Sequence, residues 1–192
     1  GARIGEVLRT LERFIALDAS ERRELHLGEA VEDSLALLKH KLGRRIVIER
    51  DLEQAPTVVC HPARIHQLLA AVLENAVEAL ARGGKRGRLT ISVRSSAEPQ
   101  LPGTEAASGP WALLSIVDNG PGIAPERLES LFDVRFSESG GTRVHAGMSL
   151  AISRAIARQH GGEIHLESEL GQGTRVFIQL PATPPTGHDV SV

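Results

Sequence analysis

Val117-Asp118-Asn119-Gly120-Pro121-Gly122-Ile123 ends an apolar run, 111–117, in a carboxylate and then turns on two glycines two residues apart. The run reads as a strand, so Asp118 stands at a strand end. A carboxylate there can accept a hydrogen bond from a ligand's amine, and the glycines let backbone come close to a flat ring. An Asp-x-Gly-x-Gly turn also follows many ordinary strands. Its meaning therefore rests on its neighbours: an asparagine-bearing helix upstream and a glycine-rich segment opening a helix downstream.

Upstream, Ile65, Leu68, Leu69, Val72, Ala76 and Leu80 form one stripe of a helix over 64–80, and Pro62 suits its first turn. Asn75 follows Leu68 by seven residues, which puts it over nearly the same face, with Ala71 and Ala79 one turn to either side. A buried amide left unpaired costs about 1–3 kcal/mol. Either a backbone group or a hydrated metal or phosphate in a cleft would satisfy it. Glu74 and Glu78 flank Asn75, as helpers at such a site or as a solvated face. Downstream, Gly140-Gly141-Thr142-Arg143-Val144-His145-Ala146-Gly147-Met148-Ser149-Leu150 supplies glycines ahead of free helix-start amides, which make an anion site. Arg143 and Arg135 add positive charge, and 137–146 reads as a flexible lid.

The rest of the 192 residues organise around these three elements. Ile4, Val7, Leu8, Leu11, Phe14 and Ile15 give an N-terminal helix whose stripe calls for a partner helix. An extended piece at 24–27 leads to a helix over 28–42, and 46–51 and 88–95 read as strands. Residues 97–110 read as a mobile loop and 125–131 as a short helix. A helix over 149–160 stops at Gly161-Gly162. Strands at 163–168 and 174–180 form a hairpin around Gly171-Gln172-Gly173. From Ala182 on, a Pro-rich tail reads as disordered. The domains implied are 1–22, 23–181 and 182–192.

A net charge of −2 implies no polyanion partner. The absence of tyrosine disfavours a stacking platform for single-stranded nucleic acid, so none is expected as a partner. Cys60, the one cysteine, fits a reducing, cytoplasmic compartment. Cys60-His61 has no matching second pair for zinc. No apolar run approaches the roughly 20 residues that span a bilayer, although the parent protein can still be membrane-anchored.

In order and spacing, Val72-Leu73-Glu74-Asn75-Ala76, Asp118-Asn119-Gly120-Pro121-Gly122, Leu131-Phe132 with Phe136, Gly147-Met148-Ser149-Leu150 and Gly171-Gln172-Gly173-Thr174 resemble the N, G1, F, G2 and C-terminal glycine boxes of a sensor histidine kinase of the Bergerat-fold ATPase/kinase superfamily. The resemblance covers roughly residues 25–181. It implies an α/β two-layer sandwich: a mixed sheet with three main helices on one face, preceded by a helix from a dimerisation and phosphoacceptor domain. It implies ATP and Mg²⁺ as ligands, with Asp118 on the exocyclic amine of adenine and Gly120, Gly122 and Ile123 shaping that pocket. Asn75 would ligand Mg²⁺. Gly147, Met148 and Ser149 would hold phosphates beneath the lid with Arg143, and Thr174 would support the adenine side. Phe132 and Phe136 would anchor the lid. The partners implied are a phosphoacceptor domain, a response regulator and a second copy of the chain.

Three positions depart from the family pattern. Ser149 stands for a glycine, where its hydroxyl would cap the helix it opens and compete with phosphate. Ser139 stands for a basic residue. Ala71 replaces the polar residue that activates water in the hydrolytic branches, which removes the obvious general base and argues against a hydrolase. No His-Glu pair precedes the core, so the phosphoacceptor histidine is expected outside these residues, and the chain alone is expected to be inactive in phosphorylation. Among the histidines, His61 starts a helix, His160 ends one, and His145 sits in the lid. The competing reading is a nucleotide-binding regulatory module without transfer activity, favoured by Ser149 and Ser139 and opposed by Asn75 and Asp118.

Overall fold

The structure, a computed structural model, describes residues 21–43, 45–84, 86–104, 109–128, 131 and 146–183, with backbone alone for 146–149. The elements run β1 (Arg23–His26), α1 (Leu27–Leu38), β2 (Ile46–Asp51), β3 (Thr57–Cys60), α2 (Pro62–Arg82), β4 (Gly87–Ser96) and β5 (Trp111–Asp118), then α3 (Pro125–Leu128), α4 (Ala146–Gln159), β6 (Glu163–Glu169) and β7 (Gly173–Pro181). The N-terminal helix, most of the lid with Phe132, Arg135, Phe136, Ser139, Arg143 and His145, and the tail beyond Thr183 lie outside the described residues.

Strand parity places the site. In β5 the residues Ala112, Leu114, Ile116 and Asp118 share one face, and all are buried. That face carries the helix layer, so the alternation that buries three apolar residues also turns the terminal carboxylate inward. The five-stranded sheet has the order β2-β4-β5-β7-β6. β2 and β4 are parallel and the other pairs antiparallel, so the sheet is mixed. Register sets Asp118 opposite Thr174 on β7.

α2 packs between α1 and α4 on this face. Its buried stripe, Ile65, Leu68, Leu69, Val72, Leu73, Ala76, Val77 and Leu80, meets Leu89, Ile91, Leu114 and Ile116 of the sheet in the core. Burying one such side chain contributes about 1.5–3 kcal/mol. Because this stripe fixes the helix rotation, it also fixes where Asn75 emerges.

Several sequence expectations change. α1 ends at Leu38 rather than 42, and the chain then turns through Gly43 at φ 51°. β3 was not evident in the sequence. It pairs antiparallel with β1 as a separate two-stranded sheet. Its four residues lie between Pro56 and Pro62, too short a run to show alternation.

The expected mobile loop after β4 is tied down over 98–104. Gln100 and Leu101 each donate a backbone N–H to Gln179 Oε1 at 2.8 Å. Trp111 is buried at 1% exposure, as is Gln179 at 0%. α3 is one turn long, ending at Leu128. Ala182 and Thr183, placed at the start of the tail by sequence, donate backbone N–H groups to Pro110 O and Thr57 O at 2.9 Å.

Candidate functional site

Asp118 is 5% exposed. Its Oδ1 accepts the Gly120 N–H at 2.8 Å, closing a turn on the side chain. Burial raises its pKa above the ordinary carboxylate value, and backbone N–H groups of Gly120 and Thr174 only partly offset this. A buried carboxylate in this state gains from any further donor brought to it.

A slot of about 80 Å³ opens beside this carboxylate, lined among others by Asn75, Ala79, Gly122, Ile123, Leu131 and Thr174. Asn75 and Asp118 thus meet across one slot. Asn75 Nδ2 is buried and has no hydrogen-bond partner among the described residues. Among the described residues, Nδ2 does not find the backbone partner that the sequence reading left open. A wider cleft of about 480 Å³ also touches Asp118, among Arg88, Thr90, Val117 and Arg175 on the other face of the sheet. It does not include Asn75 and is open to solvent, so the slot is the candidate site.

Two of the glycines are also required by backbone contacts that the sequence did not show. A Cβ on Gly122, at φ 69°, would collide with Glu169 O, and one on Gly173, at φ 99°, would collide with Asp118 O. These two glycines bring protein backbones together, and Gly122 also lines the slot. The β6–β7 turn is thereby seated against the turn after β5, and Gly171 N–H donates to Pro121 O at 2.8 Å. Gly120 is also crowded, since a Cβ there would lie 2.7 Å from Asp118 Oδ1.

Ser168 escaped the sequence reading. Its hydroxyl donates to Gly173 O at 2.8 Å and accepts the Ile123 N–H at 2.9 Å. Thr174 Oγ1 lies 3.0 Å from Ser168 Oγ. Thr174 therefore lines the slot while its hydroxyl bonds to Ser168, and its backbone N–H serves Asp118. One serine holds Ile123 and the glycine turn in register across 45 residues, a separation at which no local pattern flags it. Asn119 points elsewhere. Its Oδ1 accepts Arg88 N–H at 2.7 Å and pins the start of β4.

α4 begins at Ala146, three residues before the expected start, so Gly147 and Met148 lie within its first turn and Ser149 is its fourth residue. Ser149 is then not the residue that opens the helix. The helix start lies close in sequence to Leu150, which lines the slot. Arg143 lies outside the described residues.

His61 and His160 bond to each other away from the slot. The His61 N–H donates to His160 Nε2 at 3.1 Å, and the rings meet edge to face at 5.6 Å. This joins the start of α2 to the end of α4.

A mixed sheet with a three-helix layer, an inward carboxylate at a strand end and an amide-bearing helix across a slot defines a class: a nucleotide-binding α/β sandwich. The chain belongs to the histidine kinase-, DNA gyrase B- and HSP90-like ATPase family, whose model matches residues 60–184. It is 32% identical to the sensory histidine kinase/phosphatase NtrB of Vibrio alginolyticus over 163 residues, 84% of this chain and 44% of that protein. It is 29% identical to sporulation kinase D of Bacillus subtilis (strain 168) over 187 residues, 94% of this chain and 33% of that protein. Among solved structures, a nucleotide-free catalytic domain of histidine kinase ThkA superposes with a TM-score of 0.64 at 27% identity, covering 86% of this chain and 100% of that one. The mycobacterial sensor histidine kinase MprB gives 0.65 at 23% identity, which shows the shared fold. The chain spans less than half the length of these curated relatives. It is an ATP-binding domain of this family.

Proposed function

We propose that this chain is the catalytic unit of a two-component sensor histidine kinase, binding Mg²⁺–ATP and giving the γ-phosphoryl group to a histidine on a phosphoacceptor domain. The observation that carries the reading is the pairing, across one slot, of a buried carboxylate short of donors with a buried amide that has no partner. An adenine amine supplies the missing donor to Asp118. Asn75 is the residue that would hold Mg²⁺, through its Oδ1, while its unpartnered Nδ2, a donor, is left for a phosphate or water oxygen. Held there, Mg²⁺ would supply positive charge that offsets the charge of the phosphates.

This chain's own residues then position rather than react. Asp118 orients the purine edge. Gly122, Gly173 and Ser168 hold the floor of the slot rigid. The first turn of α4, with Gly147 and Met148, would present free backbone amides to phosphate, an arrangement suited to anions. Ala71 offers no base for water, consistent with transfer to an acceptor rather than hydrolysis. The response regulator and a second copy of the chain follow as partners of such a kinase. The regulatory-module alternative has no support from the fold or the relatives.

The test is transfer in trans. The chain is incubated with radiolabelled ATP, Mg²⁺ and a separately purified phosphoacceptor domain from a relative. Acid-labile, base-stable label on the acceptor is expected, with none on this chain alone. ATP binding without transfer to any acceptor would return the regulatory reading. Absence of ATP binding would remove both.

A further inference from the structure

Arg82 lies on the same face of α2 as Asn75, seven residues on, and it lines the slot together with Ala79 and Pro121. It is exposed, and it makes no hydrogen bond or ion pair among the described residues. Helical side chains lean toward the helix N-terminus, so the Arg82 stem runs back over the turn that carries Ala79. Ala79 offers only a methyl there, and Gly120 approaches it so closely that a Cβ on Gly120 would sit 3.3 Å from the Ala79 Cβ. Gly83 holds the end of the helix against Pro121, at 3.7 Å from its own added Cβ. The end of α2 is thereby held against the Gly120–Pro121 turn, and Arg82 brings a planar cation to the lining of the slot.

We propose that Arg82 closes the adenine end of the slot by laying its guanidinium plane on the purine ring, making it a further base-contacting residue rather than a phosphate ligand. This rests on the nucleotide reading above. The charge and plane of arginine suit the face of an aromatic ring, and a lysine ammonium lacks the plane. Aromatic side chains that would otherwise cover a purine are absent from the described lining of the slot, which is aliphatic apart from its polar groups. The approaches of Ala79 to Gly120 and of Gly83 to Pro121 set the end of α2, which carries Arg82, against the turn that follows Asp118. That places it at the base and away from the phosphates.

The experiment compares adenosine and ADP by calorimetry on the wild-type chain, Arg82→Lys, Arg82→Ala and, in parallel, Asp118→Asn. Arg82→Lys keeps the positive charge near the end of α2 and so separates helix stability from stacking. Loss of affinity by about five- to tenfold is expected in both Arg82 variants. The loss should be equal for adenosine and ADP, with unchanged melting temperature in the lysine variant. A loss confined to ADP would make Arg82 a phosphate partner and overturn the proposal. So would unchanged adenosine affinity in both variants. If Asp118→Asn weakens binding while the Arg82 variants do not, the nucleotide reading stands and this inference falls. If the wild type binds neither ligand, the nucleotide reading itself falls.

Discussion

Replacing Asp118 with asparagine tests the slot at its deepest point. The carboxylate has two acceptor oxygens. Oδ1 takes the Gly120 N–H at 2.8 Å, the Thr174 backbone N–H also serves the carboxylate, and lone pairs remain for an adenine amine. The amide has the same shape but only one acceptor oxygen. If that oxygen stays on Gly120, the NH₂ faces the ligand's NH₂. If the side chain flips, the clash of donors moves to Gly120. Either way one donor is left unmatched in a site where Asp118 is only 5% exposed. Losing a charge-assisted hydrogen bond of this kind costs about 2 kcal/mol, or roughly thirtyfold in Kd.

The ligand-free protein should respond in the opposite sense. Burial raises the Asp118 pKa, so the folded state disfavours the charged form at neutral pH. Asparagine removes that charge, and the melting temperature without ligand should stay level or rise. Calorimetry with ADP, paired with thermal unfolding of the ligand-free protein, reads both effects. Equal ADP affinity in the two proteins would refute the reasoning. So would weakened binding explained by a collapsed melting temperature.

Asn75→Ala should abolish the Mg²⁺ dependence of ATP binding while leaving the ligand-free melting temperature near wild type, because Asn75 Nδ2 gives up no described hydrogen bond; unfolding of the ligand-free variant would assign Asn75 a structural role instead. Gly122→Ala should destabilise the fold by about 3 kcal/mol or more, since the methyl meets Glu169 O and the backbone sits at φ 69°; denaturant unfolding with a shift smaller than about 1 kcal/mol would refute this contact. His160 should make stability fall on acidification. Burial lowers its pKa below 6.5, with Ile156 O opposing and His61 and Arg22 adding to the lowering. The folded state therefore holds it neutral. The stability this contributes is complete above about pH 6.5 and is lost as pH falls through the lowered folded value. Gln at 160 can keep both bonds without titrating, so unfolding curves from pH 8 to 5 should show a shallower slope in His160→Gln; an identical slope would clear His160 of the effect.

The sequence alone determined the class. The helical stripe around Asn75, the alternation that ends at Asp118 and the glycine turns are local periodicities, set by the pitch of a helix and the pleat of a strand. They are readable because each repeats within one element, and their order along the chain carries the family. Only the tertiary structure decided what brings these elements together. Ser168 reaches Ile123, Gly122 receives Glu169, Gln179 anchors Gln100 and Leu101, and β3 finds β1. Each contact joins residues more than 30 positions apart, where neither periodicity nor propensity marks the partner. The glycines show the difference most directly. Their positions were legible, but a glycine records only that something comes close. Whether a ligand or another strand comes close depends on how the chain returns, and here β6 and β7 return onto the turn that follows Asp118.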